Sequence, residues 1–232
     1  MNKAKVLLAE DDLSLGFVIK DNLQDAGYEV TLCPDGEIAW QQFQKKDFDI
    51  CLLDINMPVR DGFSLAKKIR QQSDVIPVIF ITAKSLQEDK LKGFQTGADD
   101  YITKPFSIQE LLMRMEVFLR RTKKLQADTK EEFQIGKLKF IYTELKIYHQ
   151  DGVISLTQRE SDLLRFFALH INKILKREEV LLNVWGKDDY FLGRSMDVFI
   201  TKLRKHFKAD PEIVLETIHG VGFRLLLQKV KD

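Results

Sequence analysis

The sequence predicts two domains: an α/β domain built on a parallel sheet, followed by a domain of short strands and helices. Three observations lead to this prediction. The length of 232 residues suits two ordinary domains. In the first half, short apolar runs alternate with amphipathic segments, which is typical of a parallel sheet covered by helices on both faces. In the second half, short strands precede a group of helices, and a glycine-rich hairpin follows them.

The first half supplies five strands and five helices. Strands are predicted at Lys5–Ala9, Glu29–Leu32, Ile50–Asp54, Val78–Thr82 and Tyr101–Thr103, and helices at Leu13–Asp25, Glu37–Lys45, Ser64–Gln71, Leu86–Phe94 and Ile108–Arg121. Capping boxes that begin at Ser85 and Ser107 mark the starts of the last two helices. The polar residues 122–132 form a linker. The basic run at its start suits a nucleic-acid patch, but a solvated helix end fits it better.

Composition and charge narrow the class of protein. With 44% hydrophobic and 31% charged residues, the chain can form a packed core. Residues 1–121 carry a net charge of −3 and residues 133–232 a net charge of +4, which hints at nucleic acid in the second half. We expect Cys33 and Cys51 to be buried free thiols. No apolar run approaches the ~20 residues of a membrane span, and the apolar run after Lys3 and Lys5 is too short for the core of a signal peptide. We therefore expect a cytoplasmic protein.

The run Ile50–Pro58 is the centre of the first domain. Four apolar residues lead directly into Asp54, as in a strand buried on both faces, and Pro58 cannot continue a central strand. Asp54 therefore lies at the carboxyl end of a strand, where open α/β sheets place their binding sites. A carboxylate in this position also suits a turn cap, and this stretch alone does not separate the two interpretations.

Other polar residues follow neighbouring strands, and together they favour a site. They are Glu10 and Asp11 after the first strand, Asn56 after the third, Thr82 at the end of the fourth, and Lys104 after the fifth. Clustered carboxylates repel one another unless a cation joins them, and oxygen ligands without His or Cys suit Mg²⁺. A carboxylate beside Mg²⁺ and a lysine can attack a phosphoryl group and form an acyl phosphate.

Residues 1–121 resemble a response-regulator receiver domain, which has a flavodoxin-like (βα)5 fold. The resemblance rests on the polar residues just named, together with Ala83, Tyr101 and Pro105, because their order and spacing along the chain match those of the family. The resemblance implies that Asp54 is phosphorylated and that Lys104 pairs with the phosphoryl group. It implies that Asp11 and Asp54 bind Mg²⁺ directly, Asn56 through its carbonyl, and Glu10 through water. Thr82 and Tyr101 would be the switch residues, and the Lys104–Pro105 bond would be cis.

A charged surface at the end of the first domain is a solvated face or a dimer interface. The residues concerned are Lys90, Phe94, Asp99, Asp100, Glu110, Leu112, Arg114 and Arg121. Resemblance to OmpR/PhoB-type regulators implies a symmetric dimer here, with pairs between Lys90 and Glu110 and between Asp100 and Arg121.

The second half begins with strands predicted at Phe133–Leu138, Glu144–His149 and Val153–Leu156, with a hairpin turn at Asp151–Gly152. A capping box at Thr157 opens a helix that turns Leu163, Leu164, Phe167, Leu169 and His170 toward the core. A second helix is predicted at Lys176–Trp185, ended by Gly186, followed by a loop at Lys187–Gly193.

The helix predicted at Ser195–Phe207 carries one apolar stripe, formed by Met196, Ile200, Leu203 and Phe207, which we expect to face the core. An adjacent stripe of Ser195, Phe199, Lys202 and His206 is expected to face outward, with Arg194, Thr201, Arg204, Lys205 and Lys208 beside it. Such a helix can lie in the major groove of DNA, although a single basic helix is more often an ordinary surface helix. Strands at Val214–Ile218 and Phe223–Leu227 enclose the turn His219–Gly222.

Residues 133–232 resemble the winged helix-turn-helix DNA-binding domain of OmpR/PhoB regulators, and the chain is similar to RprY-like regulators within that type. The match rests on Trp185-Gly186, on Arg194 to Val198 and on the hairpin Thr217–Arg224. The sequence departs from the family at Phe199, Thr201, Lys202 and His219, where polar residues or arginine are common. Lysine cannot reproduce a bidentate arginine–guanine contact, whereas Phe199 suits a thymine methyl group.

We therefore expect a two-component response regulator that a sensor histidine kinase phosphorylates on Asp54 and that then dimerises on promoter DNA and acts on RNA polymerase. Its only enzymatic activities would be Mg²⁺-dependent autophosphorylation and autodephosphorylation. One alternative is an aspartyl-phosphate phosphatase, but such enzymes need an Asp where this chain has Asn56. The other alternative is a regulator of the same architecture that binds DNA without phosphorylation.

Overall fold

The computed structural model describes residues 3–83, 98–124, 131–185 and 190–228. It divides into two compact units, Met1–Ala127 and Asp128–Asp232. The predicted helix Leu86–Phe94, with Lys90, Phe94 and the capping box at Ser85, lies outside the described residues. The side chains of Arg121, Arg194 and Ser195 also lie outside what the structure describes.

The first unit contains five parallel strands in the order β2-β1-β3-β4-β5. The strands are β1 (Lys5–Ala9), β2 (Glu29–Cys33), β3 (Ile50–Asp54), β4 (Val78–Ala83) and β5 (Asp100–Lys104). The described helices are α1 (Leu13–Asp25), α2 (Gly36–Lys45), α3 (Gly62–Gln72) and α4 (Ile108–Lys124). The predicted α/β class is confirmed, and the bounds of the predicted strands and described helices differ from the observed ones by three residues at most.

Helices cover both faces of this sheet because the strand side chains alternate in direction. On one face, Ile19 and Leu23 of α1 pack with Leu111 and Phe118 of α4 against the strands. On the other face, Phe63 of α3 meets Phe80 of β4 edge to face, with 5.2 Å between the ring centroids. All five residues of β3 are buried, as its unbroken apolar run predicts.

In the second unit, the described residues form two antiparallel sheets and three α-helices. The first sheet has the order β6-β7-β8-β9 and the second the order β10-β12-β11. The strands are β6 (Glu132–Ile135), β7 (Leu138–Ile141), β8 (Lys146–His149), β9 (Gly152–Ser155), β10 (Leu175–Lys176), β11 (Ile213–Ile218) and β12 (Gly222–Leu227). The helices are α5 (Gln158–Ala168), α6 (Arg177–Trp185) and α7 (Tyr190–His206).

Several predicted elements of the second unit need correction. The single strand predicted at Phe133–Leu138 is wrong, since the chain reverses at Gly136 and Lys137 between β6 and β7. Gly136 has a φ of +55°, and a Cβ there would lie 2.4 Å from Oδ2 of Asp210. The turn between β8 and β9 consists of Gln150 and Asp151, one residue earlier than predicted, because Gly152 pairs with His149.

The helices of the second unit also differ in detail. The capping box at Thr157 is confirmed, and Leu163, Leu164 and Phe167 are buried. Leu169 was predicted to face the core but is 51% exposed, because α5 has already ended at Ala168. The loop predicted at Lys187–Gly193 is wrong from Tyr190 onward, where α7 begins.

Candidate functional site

Three carboxylates meet at the edge of the parallel sheet where the strands end. Strands β1 and β3 are adjacent, with Ala9 opposite Leu53, so the residues that follow them share one edge. Carboxylate oxygens of Glu10, Asp11 and Asp54 all lie within 4.8 Å of one another. Glu10 and Asp54 are buried, whereas Asp11 is exposed. The predicted convergence of these residues agrees with this geometry.

Lys104, the last residue of β5, provides the opposite charge. Its Nζ lies 2.5 Å from Oδ2 of Asp54 and 2.7 Å from Oε1 of Glu10. The backbone N–H of Asn56 donates to Oδ1 of Asp54 at 3.0 Å. The Lys104–Pro105 peptide bond is cis, as the resemblance implied. Both oxygens of Asp54 are therefore oriented by donors that belong to the chain itself.

The electrostatic balance of this cluster favours a cation. The pKa of Glu10 is raised to about 7, mainly because the carboxyl group is buried. The hydrogen bond and the charge of Lys104 lower this pKa, and the neighbouring charge of Asp54 raises it. Burial lowers the pKa of Lys104, but its hydrogen bonds to Asp54 and Glu10 outweigh burial and raise that pKa above its usual value. One ammonium group thus serves two buried carboxylates, and a third carboxylate lies beside them.

The donor set fits a hard divalent cation such as Mg²⁺. All of the side-chain ligands are carboxylate oxygens, which is the chemistry that Mg²⁺ prefers. Among the described residues, Oε2 of Glu10 has no hydrogen-bond partner although it is buried. A buried carboxylate oxygen in that state is costly unless an ion or water reaches it. Glu10, Asp11 and Asp54 are therefore the residues that would hold the ion.

Thr82 lies on β4, the strand next to that of Asp54, and Tyr101 lies on β5, one strand further along the sheet. Asp54 pairs with Ile81 across β3 and β4, so Thr82 lies one position beyond it at the same edge. Thr82 is buried, and its hydroxyl donates to the carbonyl of Ala83 at 3.2 Å. Tyr101 of β5 is also buried, and its ring centroid lies 5.3 Å from that of Phe80. Thr82 therefore lies at the same end of the sheet as Asp54.

The predicted dimer residues do not share one environment. Asp99 is fully buried within its own chain. Its Oδ2 accepts from Nη2 of Arg70 at 2.5 Å and from the backbone N–H of Val78 at 2.9 Å, so the buried carboxylate is compensated inside the unit. Its assignment to a dimer surface is therefore wrong. Asp100 and Glu110 both pair with Arg114 of the same chain, at 2.7 and 2.8 Å. Asp100 is buried, and its other oxygen accepts from the backbone N–H of Tyr101 at 2.8 Å, so little of this carboxylate is open to Arg121 of a second chain.

In the second unit, α7 exposes a different face from the one predicted. The stripe of Met196, Ile200, Leu203 and Phe207 is buried, as expected. Phe199, however, is also fully buried, with its ring centroid 5.9 Å from that of Trp185. Its assignment as an outward residue that touches a thymine methyl group is wrong, because α6 covers it. The buried side of α7 is therefore wider than one apolar stripe.

Two more residues of the predicted outward stripe point toward this covered side. The ammonium group of Lys202 lies 3.5 Å from Oε1 of Glu160 and 5.3 Å from the centroid of the Phe199 ring. Only 22% of the Lys202 side chain is exposed. Burial lowers the pKa of His206, whose Nε2 is buried without a hydrogen-bond partner among the described residues. The side chains of Lys202 and His206 are thus partly buried and do not face outward as predicted.

Among the residues of α7 whose side chains are described, Asp197, Thr201, Arg204 and Lys205 are exposed, and Lys208 is exposed in the 3₁₀ turn that follows the helix. Thr201 lies at the centre of this exposed face, and its hydroxyl donates to the carbonyl of Asp197 at 2.8 Å. Arg204 donates to β11, and His219 is exposed at the turn between β11 and β12. The outward basic residues of α7 and the hairpin turn are the parts of this unit that nucleic acid could reach.

Sequence reasoning missed the residues that hold these side chains. Glu160 pairs with Lys202, Arg177 with Asp197 at 2.6 Å, and Thr217 accepts from Arg204 at 2.8 Å. Glu160 carried a sequence signal through its place in the capping box, and Thr217 belongs to the hairpin on which the resemblance rests. Neither signal indicated a contact with α7, which the fold brings about, and no local pattern marks Arg177.

Comparisons with known proteins agree with the division of the chain into two units. Residues 6–116 match the response regulator receiver domain, and residues 150–225 match the family described as transcriptional regulatory protein, C terminal. Transcriptional regulatory protein RprY of Bacteroides fragilis is 46% identical over 224 residues, which cover 97% of this chain and 95% of the relative. The alkaline phosphatase synthesis transcriptional regulatory protein PhoP of Bacillus subtilis is 33% identical, and the match covers 100% of each chain.

Solved structures show the same architecture. A mutant of RitR has a TM-score of 0.72 at 25% identity, covering 96% of this chain and 98% of its own. DrrB of Thermotoga maritima, described as an OmpR/PhoB homolog, has a TM-score of 0.52 at 28% identity, covering 97% and 100%. None of the helices that the structure describes has the length and apolar character needed to cross a membrane.

Proposed function

The chain belongs to the two-component response regulators that join a receiver domain to a C-terminal DNA-binding domain, and from this premise we propose that Asp54 is its phosphoacceptor. The observation that carries the proposal is the contact of Asp54 with Lys104 inside the acidic cluster. A sensor histidine kinase donates the phosphoryl group, and phosphorylation promotes dimerisation on promoter DNA. The chain carries out this role in the cytoplasm, where it acts on transcription by RNA polymerase.

The residues of the site divide the chemistry among them. A carboxylate oxygen of Asp54 attacks phosphorus, the bond from phosphorus to the donor's histidine nitrogen breaks, and that nitrogen keeps the electron pair. Lys104 neutralises charge on the transferred group, and the Thr82 hydroxyl donates to one of its oxygens. Asp11, Asp54 and the carbonyl of Asn56 would hold Mg²⁺ directly and Glu10 would hold it through water, and the ion would supply further charge neutralisation. The same groups support autophosphorylation from a small phosphodonor and hydrolysis of the acyl phosphate.

The kinase reaches the site over the exposed start of α1. Leu13, Phe17 and Val18 are each more than half exposed, and α1 begins two residues after Asp11. Large apolar side chains exposed together on one helix mark an interaction surface. Their place beside the acidic cluster suits the partner that must bring a phosphoryl group to Asp54.

The response involves Thr82, Tyr101 and the surface of α4. A new charge on Asp54 attracts Thr82, and the room this leaves allows Tyr101 to move inward. We keep Lys90, Phe94, Glu110, Leu112, Arg114 and Arg121 as the proposed dimer residues, and we leave out Asp99 and Asp100 because both are buried within the chain. Glu110 is the best placed of the described charges, since its side chain is 43% exposed.

The DNA-binding surface is the exposed face of α7 together with the turn at His219. Thr201 and Lys205 replace Phe199 and Lys202 as the residues proposed to reach base edges, because they face outward. The Thr201 hydroxyl is engaged with its own helix, so its methyl group is the part offered to a thymine methyl. Arg204 and Lys208, which are exposed, are proposed to lie near phosphates, and Arg194 and Ser195 are kept from the sequence prediction as further DNA contacts.

The phosphoacceptor is tested by intact-mass spectrometry after incubation with Mg²⁺ and acetyl phosphate. We expect an added phosphoryl group on the wild-type chain and none on Asp54→Ala. Asp74→Ala is the control, since Asp74 is an exposed carboxylate in the loop before β4, at the opposite end of the strands. Equal phosphorylation of the Asp54→Ala chain would place the acceptor elsewhere.

Assembly and DNA binding are tested on the same samples. Sedimentation at micromolar concentration should show a larger dimer fraction after phosphorylation, and Glu110→Lys should reduce it. A DNA site is first selected from a random pool with the phosphorylated wild-type chain, and affinities are compared with and without acetyl phosphate. Identical mass and identical affinity in both states would instead favour the regulator that acts without phosphorylation.

A further inference from the structure

We propose that Arg204 is a positioning residue that holds the β11–β12 hairpin against α7, so that the helix and the hairpin turn bind DNA as one unit. This inference rests on the proposed DNA-binding function and deepens it. It also gives Arg204 a role beyond the contact to a phosphate that was proposed for it above. The residue touches no base in this proposal and acts through the placement of His219.

Two hydrogen bonds carry the proposal. Nε of Arg204 donates to the carbonyl oxygen of Leu215 at 2.7 Å, and Nη2 donates to Oγ1 of Thr217 at 2.8 Å. Leu215 and Thr217 are two positions apart on β11, so they lie on the same side of the strand. A planar guanidinium group can reach both acceptors at once, whereas a lysine ammonium group lacks this fixed geometry.

The acceptors lie where they control the hairpin turn. Strand β11 is an edge strand, since it pairs only with β12 in its sheet, and an edge strand has carbonyl groups without partners in the ladder. Thr217 pairs with Phe223 and lies two residues before His219. The bond from Arg204 therefore holds the hairpin at the pair before the last one, which joins Ile218 and Gly222 next to the exposed turn.

A second arginine closes the other side of the same arrangement. Nη2 of Arg177 lies 2.6 Å from Oδ2 of Asp197, and its guanidinium carbon lies 5.6 Å from the centroid of the Phe223 ring. The backbone N–H of Arg177 also donates to the carbonyl of Val221 at 3.3 Å. Helix α7 is thus joined to the hairpin directly through Arg204 and indirectly through Arg177.

The consequence for binding is coupling between the helix and the turn. If Arg204 fixes the hairpin, its loss moves His219 away from its groove, and His219 then contributes less to affinity. If Arg204 only meets a phosphate, its loss and the loss of His219 are independent. Lys205, on the same exposed face, provides the comparison, because it makes no described bond to the hairpin.

The test is a double-mutant cycle on the full-length phosphorylated chain, with the DNA site selected by the wild type. Affinities are measured for Arg204→Gln, His219→Ala and the double variant, and in parallel for Lys205→Gln with His219→Ala. We expect a coupling of at least about threefold in the Arg204 cycle and additive effects in the Lys205 cycle. Thr217→Val should also weaken binding severalfold without changing the slope of affinity against salt.

A measurement without DNA keeps the proposal testable by itself. Hydrogen exchange of the backbone amides of β11 and β12 should be faster in Arg204→Gln than in the wild type, while that of α5 is unchanged. Additive effects in the Arg204 cycle, with a salt slope reduced by about one unit and unchanged exchange, would overturn the proposal in favour of a phosphate contact. If the wild-type chain selected no DNA, the proposed DNA-binding function would be refuted. The positioning role of Arg204 would then be judged by hydrogen exchange alone, and it would be refuted if exchange of the hairpin amides were the same in Arg204→Gln and the wild type.

Discussion

Replacing Phe199 with alanine should destabilise the second unit rather than change the DNA sequence that it prefers. Phe199 is fully buried and packs against Trp185, although its position on α7 suggested an outward, DNA-facing side chain. Truncating a buried phenylalanine removes its transfer free energy and leaves a cavity, at a cost of about 3–5 kcal/mol in the free energy of unfolding. Phe199→Leu keeps most of the volume and should cost less than about 1.5 kcal/mol.

The assay is urea unfolding followed by tryptophan fluorescence in a Trp40→Phe background. The chain has two tryptophans, so this background leaves Trp185 as the single reporter, in contact with the substituted ring. With a slope of about 2 kcal/mol per molar urea, the loss corresponds to a midpoint lower by about 2 M. Thr201→Ala is the matched control, and it should change stability by less than about 0.5 kcal/mol because Thr201 is exposed.

The same variants are then compared on single-base variants of a selected DNA site. We expect Phe199→Leu to keep the wild-type base preference and Thr201→Ala to relax it at one position. An unchanged urea midpoint for Phe199→Ala, together with an altered preferred base, would refute the burial of Phe199 and the rotation assigned to α7.

Three further predictions concern buried ionisable groups. Asp99→Ala removes the carboxylate that pairs with the Arg70 guanidinium group and should lower the free energy of unfolding of the first unit by about 3–5 kcal/mol. Urea unfolding followed by Trp40 fluorescence in a Trp185→Phe background measures this loss. A change in self-association without a change in stability would instead return Asp99 to the dimer surface. Burial lowers the pKa of His206; the charges of Lys202 and Lys205 lower it further, and Glu160 opposes them. The unfolded chain therefore binds more protons, and the second unit should lose stability as the pH falls from 7 to 5. His206→Gln should make the stability of this unit less dependent on pH, and an equally steep pH profile for the variant would contradict the prediction. Burial raises the pKa of Cys33 to about 11 and of Cys51 to about 12, so a thiol reagent at pH 8 should label neither until denaturant is added, whereas rapid labelling of the native chain would show that these strands open.

The acidic cluster was predictable because its position follows from strand topology. Each carboxylate follows an apolar run, and parallel strands end at one edge, so Glu10 and Asp54 had to approach one another. Tertiary detail was not predictable in the same way. The buried ion pair of Asp99 depends on Arg70 of α3, which lies 29 residues earlier in the chain, and no spacing rule connects the two.

The sequence by itself determined the two units, the class of each, the acidic site and the apolar stripe of α7. These features depend on periodicity and on the order of strands, which are local properties of the chain. Only the tertiary structure decided which side of α7 faces outward. Periodicity gives the spacing of buried positions but not the width of the covered side, and that width depends on which residues pack against it. Because Trp185 and Glu160 cover Phe199 and Lys202, the exposed face is centred on Thr201, and Arg204 is bonded to the hairpin.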